Sequence, residues 1–171
     1  MIYLFRYIIG ALLIIFSQVL IFNRIELGFG MCIMISPLFI MVLPFRMSLA
    51  QTLLIAFLIG GIIDVFMSTY GLHASSLVFA AYLRPSLFKL IAPNEDFIRG
   101  NDTNDKYASK GRFFLHLLLL VLAHNLWFFI LESFALDEFL FTSIRIGLST
   151  VASTLIAFII FLLFLLKTNV D

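Results

Sequence analysis

The sequence predicts an all-α integral membrane protein, a single domain of six transmembrane helices. Two observations predict it. Hydrophobic residues make up 63% of the 171 and charged residues only 12%, with a mean hydropathy of +1.13. Soluble domains carry about 25% charged residues, and a water-facing surface drawn from this composition would be an aggregating apolar patch. The polar residues also cut the chain into apolar runs close to the roughly 20 residues that a helix needs to cross a hydrocarbon core of about 30 Å.

The first run, 3–22, has Arg6 near one end and Gln18 near the other. It follows no strong basic segment and no small-x-small cleavage site closes it, so it reads as an uncleaved helix rather than a signal peptide. The second, 29–45, is short and holds Pro37 and Pro44. Proline removes a backbone hydrogen bond, and lipid tolerates that only where neighbouring helices satisfy the freed groups. This span is therefore expected to be interior and kinked or partly unwound. The third and fourth spans are 49–66 and 72–92, the latter with Pro85 inside it; the fifth and sixth are 113–134 and 139–166. Residues 94–112 form the one long polar stretch and read as a loop.

Orientation follows from the basic residues, which concentrate in cytoplasmic loops. Six spans put both termini on one side. With that side cytoplasmic, Arg6, Arg46, Lys89, Arg99, Lys106, Lys110, Arg112 and Lys167 all lie inside, while Arg24, Arg145 and the acidic turn Asp137-Glu138 lie outside.

Ionisable groups at membrane depth cost at least about 2.5–3.5 kcal/mol each at a helix centre, so each needs a reason. Asp64 and His73 flank the tight turn between the third and fourth spans, at similar depth. They read either as a partner-facing or fold-fixing site, or as a wetted pair that closes the hairpin. Ala56, Gly60 and Asp64 recur every four residues, so a face of small residues, which lets helices approach closely in lipid, leads to the carboxylate. Glu132 and Arg145 are similarly spaced about the Asp137-Glu138 turn and are expected to form a salt bridge, with contact to a partner as the alternative. Ser149, Ser153 and Ala157 make a second small-residue stripe. Arg84, beside Pro85, either snorkels to headgroups or is buried with a role. His116 and His124 are eight residues apart, a rotation of roughly 80°, and do not share a ligand face; His124 beside Asn125 reads as a packing residue.

Several function classes are poorly served. A net charge of +1 gives no attraction to nucleic acid. Cys32 is the single cysteine, so no intrachain disulfide or multi-cysteine metal site can form. No Walker-type glycine loop, GxSxG elbow, HExxH helix or CxxC pair occurs. The expectation is a non-enzyme without a cofactor or metal.

The stretch from Ser36 to Pro93 resembles the MreD family of rod-shape-determining proteins. The resemblance rests on a proline-containing second span ending in Leu43-Pro44, then Phe57, Gly60 or Gly61, Asp64 and Phe66, then Thr69, Gly71, His73-Ala74 and the run Ala81–Pro85. Gln18, His124-Asn125 and the run 131–134 are similar too, and the likeness extends along nearly the whole chain in order and hydropathy. It implies a bacterial inner-membrane scaffold of the cell-elongation machinery. The partner would be MreC, linking the MreB filament to peptidoglycan synthesis by RodA and a penicillin-binding transpeptidase. It also implies a fold like the substrate-binding subunits of energy-coupling-factor transporters, and gives Asp64 a role in assembly. The alternative is such a small-molecule-binding transporter subunit. Those dock through a small-residue face on the first helix, where this chain has only Gly10, Ala11 and Ser17, without four-residue spacing.

Overall fold

A tight helical hairpin dominates the middle of the chain. The computed structural model describes residues 2–25, 28, 30–91, 110–133 and 139–168. Its helices are α1 (Ile2–Leu20), α2 (Ser36–Val42), α3 (Leu49–Met67), α4 (Leu72–Ile91), α5 (Lys110–Ser133) and α6 (Phe139–Thr168), with a 3-10 turn at Phe22–Arg24. Among the described residues there is no strand. In chain order α3 packs on α4, α4 on α5 and α5 on α6, while α1 lies against α2 and α3.

α3 begins with a reciprocal cap. Ser48 Oγ accepts from the Gln51 amide at 3.3 Å, and Gln51 Oε1 accepts from the Ser48 amide at 3.0 Å, so two of the orphan donors of a helix start are served. The helix ends at Ser68, left-handed at φ 57°. Tyr70 and Gly71 follow at φ 48° and 93°, reversing the chain within four residues.

The hairpin closes because Gly60 has no side chain. A Cβ there would lie 2.4 Å from Cα of Ala74 and 2.7 Å from its nitrogen, both backbone atoms that cannot swing away. Gly60→Ala is therefore expected to destabilise by about 1–3 kcal/mol through overpacking, read by thermal unfolding in detergent. Gly61→Ala, where a Cβ meets nothing within 4 Å, should be neutral or slightly stabilising.

Among the described residues three helices are long and apolar enough to cross a membrane: Leu49–Met67, Lys110–Ser133 and, within α6, Leu140–Leu163. The Tyr7–Leu20 part of α1 is a shorter apolar stretch. α4 is 20 residues long but carries His73, Ser75, Ser76, Arg84, Ser86 and Lys89, which lower its mean hydropathy. It continues through Pro85 to Ile91. Outward faces of the long helices expose leucine, isoleucine, valine and phenylalanine, as a lipid-facing surface does.

The second span departs most from the sequence reading. The range 29–45 is not one helix: 31–35 is coil without regular secondary structure, α2 has only 7 residues, and Pro44 follows it. Yet Ile33–Met41 is buried throughout, with Ile40 and Met41 at 0% exposure. The least regular segment is the best covered. It forms the middle of the core with Ala56, Ile63, Leu77, Leu117 and Val121 around it. Of the expected loop 94–112 only 110–112 are described, as the start of α5, and the Asp137-Glu138 turn lies outside the described residues.

Candidate functional site

A buried segment without regular structure needs partners for its backbone groups, since an unpaired buried one costs about 1–3 kcal/mol. In an extended chain the amides of alternate residues point to opposite sides. Cys32 and Met34 donate to one side, to Ser149 Oγ at 3.1 Å and Ser153 Oγ at 2.8 Å. Four residues of helix rise about 6 Å and two residues of extended chain span about 6.6 Å, so serines four apart on α6 match amides two apart in the segment. On the other side Gln18 of α1 makes two further bonds. Its Nε2 donates to the Ile33 carbonyl at 2.9 Å and its Oε1 accepts from the Ile35 amide at 2.8 Å. The side chains thus stand in for the flanking strands of a sheet.

Arg84 serves the far end of the same segment. It is 3% exposed, and its Nη2 donates to the carbonyl of Met41 at 3.1 Å and to that of Leu43. These are carbonyls at the C-terminus of α2 that a helix cannot satisfy itself, and a cation there also opposes the helix dipole. The guanidinium lies 3.9 Å over the Phe45 ring. His116 Nε2 lies 3.2 Å from the Arg84 carbonyl, which ties α5 to the same point. Arg84 is therefore buried with a structural task and does not reach for headgroups.

Asp64 works across the α3–α4 turn. Its Oδ1 accepts from the His73 amide at 3.0 Å and from the Thr69 hydroxyl at 2.5 Å, and its Oδ2 accepts from the Ala74 amide at 2.9 Å. The sequence reading brought Asp64 and His73 together, and they do meet. The contact runs through the His73 backbone, with the carboxylate from α3 capping the first turn of α4. The His73 imidazole, 1% exposed, has neither nitrogen bonded among the described residues. It packs against Phe128 at 4.8 Å and His124 at 6.2 Å between ring centres. Behind it, His124 Nδ1 lies 3.3 Å from Asn125 Oδ1, and Asn125 Nδ2 donates to Thr150 Oγ1 at 3.2 Å.

Glu132 and Arg145 form a salt bridge of 2.9 Å. Arg145 Nε also donates to the Gly30 carbonyl at 3.0 Å, and its guanidinium lies 4.7 Å over Phe129. Gly30, at φ +67°, leaves room for this, because a Cβ would sit 2.7 Å from Arg145 Nε. A cavity of about 430 Å³ lies at this end of the bundle. Gln18, Thr69, His73, Phe128, Glu132 and Arg145 all line it, together with residues of the 28–34 segment.

The small-residue stripes turn inward. Ala56, Ser149, Ser153 and Ala157 are fully buried, and Gly60 is against α4. Docking of a partner helix through these positions is closed, because the chain has already filled them. Among the described residues no group of three or more His, Cys, Asp and Glu is placed to hold a metal ion. Sequence reasoning missed the strand-like task of Gln18 and gave the two serines only a packing role. A glutamine at membrane depth and serines at i, i+4, opposite a proline-broken span, are the signal that points to them. Comparison with family models, characterised proteins and solved structures gave no match.

Proposed function

We propose that the chain is a non-catalytic membrane scaffold of the MreD type, a multi-pass protein of the bacterial inner membrane with both termini cytoplasmic. In this reading it binds MreC and supports peptidoglycan synthesis and rod shape beside RodA and a penicillin-binding transpeptidase, with MreB engaged indirectly. The order of residues from Ser36 to Pro93 supports the family, and the six-span fold with its likeness to energy-coupling-factor subunits comes with it.

One structural observation favours a helix-binding scaffold. Leu54, Phe57, Leu58, Ile62 and Val65 are exposed along one face of α3, and Gly61 lies in the middle of that face with nothing within 4 Å of its missing Cβ. A glycine inside a helix costs about 1 kcal/mol relative to alanine, and no contact among the described residues requires this one. Close approach by a partner's transmembrane helix gives it a reason. MreC is the partner assigned to this notch.

Gly61→Leu should cut MreC recovered from solubilised membranes by about tenfold or more, a loss of about 1.4 kcal/mol or more, with thermal stability unchanged. Gly147→Leu, at the open glycine of α6, should leave recovery intact. Equal MreC with Gly61→Leu would remove this face from the account. A vitamin bound at one equivalent, with no MreC, would instead favour the transporter subunit.

A further inference from the structure

The cavity between α1, α5, α6 and the α3–α4 turn carries a set of groups that the scaffold reading does not use. Its volume of about 430 Å³ is within the range of about 300–1,000 Å³ seen for small-molecule sites. Phe22, Met31, Met34, Met67 and Phe128 supply apolar walls, and methionine adapts its shape to an occupant. Among the described residues Glu132 and Arg145, whose side chains are 36% and 17% exposed, put one charge of each sign on the lining. At its buried side His73 has two ring nitrogens without partners among the described residues.

We propose that this cavity binds a zwitterion, a molecule bearing a primary ammonium and a phosphate or carboxylate on a short apolar stem. A lone anion would meet Glu132 and a lone cation would meet Arg145, whereas a zwitterion satisfies both. Each partner has capacity for it. A carboxylate offers about four acceptor sites and a guanidinium five donors, while their mutual bond joins one nitrogen to one oxygen. The ammonium adds to Glu132 and the anionic oxygens add to Arg145. The neutral imidazole of His73, one donor and one acceptor, takes a hydroxyl or carbonyl on the stem. This chemistry has two sources, the headgroup of an ethanolamine phospholipid or a free amino-phosphate or amino-carboxylate solute.

Cys32 lines the same cavity and is the single cysteine of the chain, so its alkylation by a maleimide reports occupancy in the unmodified protein. Phosphatidylethanolamine in mixed micelles is expected to slow labelling by about tenfold at saturation, and phosphatidylglycerol by less than about twofold. Phosphatidylcholine, whose quaternary ammonium donates no hydrogen bond to Glu132, should behave like phosphatidylglycerol. Protection by free phosphoethanolamine equal to that by the lipid assigns the solute as source; protection by the lipid alone assigns the headgroup. Glu132→Gln should lose the protection while unfolding at the wild-type temperature. The proposal fails if neither zwitterion protects, or if all three lipids protect equally. The lipid comparison uses the wild-type chain, so it decides the matter even if the variant does not fold.

Discussion

Asp64→Ala is expected to lower the stability of the chain by about 3–5 kcal/mol, because two helix-start amides and a hydroxyl lose a charged acceptor in a dry site. The amides of His73 and Ala74 would be left at the buried first turn of α4 with no replacement, and the Thr69 hydroxyl would lose its acceptor. Asp64→Asn keeps one acceptor oxygen and should cost about half as much. Thr69→Val removes a single donor and should cost about 1 kcal/mol. Thermal unfolding in detergent ranks the three. On the proposed scaffold reading, capture of MreC per folded molecule should stay level across the series, since the carboxylate faces inward at 6% exposure. A stable Asp64→Asn protein that fails to capture MreC would return Asp64 to the partner interface.

Arg84→Leu should be comparably severe, at about 3–5 kcal/mol. Leucine fills much of the space but leaves the Met41 and Leu43 carbonyls without their donor, and a buried acceptor costs about 1–3 kcal/mol when stripped. The ring of Phe45 also loses the cation stacked on it. Arg84→Lys should recover only part of the loss. A lysine ammonium carries the charge and could donate to both carbonyls, as the single Nη2 does, but it lacks the flat face that stacks on Phe45. If Arg84→Lys unfolds at the wild-type temperature, the stacking is irrelevant and the charged donor alone suffices. If Arg84→Leu does so, Arg84 has no structural task.

The two predictions share a physical origin. In hydrocarbon a helix end or a broken helix cannot borrow water, so its loose donors and acceptors must be met by side chains. Asp64 meets donors at the start of α4, and Arg84 meets acceptors at the end of α2. Gln18, Ser149 and Ser153 meet the coil residues between α1 and α2. Most of the unusual polar residues are thereby accounted for, and the remaining exposed surface of the long helices is largely apolar.

Much of this was legible beforehand. Apolar run length located α1, α3, α4, α5 and α6 to within a few residues, because in lipid length and composition decide a span. The prolines at 37 and 44 marked the second span as interior and irregular. The pairing of Glu132 with Arg145 followed from equal spacing about a turn, a local relation that sequence can carry. Three things were not legible. Whether 29–45 was a bent helix or a coil segment followed by a short helix depends on which neighbours offer side-chain donors and acceptors, a property of the packed bundle. The inward turn of Ala56, Gly60, Ser149, Ser153 and Ala157 could not be told from an outward one, since both faces of a membrane helix are apolar and periodicity loses its sign. The open glycine of α3 is Gly61, one residue from the buried Gly60. In a helix that step is a rotation of about 100°.

Hydrogen exchange of the amides of Cys32, Met34 and Ile35 tests the arrangement most directly. Side chains of α1 and α6 hold these amides, so they should be protected in the wild type; Ile35 should become fast in Gln18→Leu, and Cys32 and Met34 in the Ser149→Ala, Ser153→Ala pair, with α5 unaffected. A regular helix across 29–45 would hold its own amides through main-chain carbonyls. Protection unchanged by all three substitutions would therefore contradict the account.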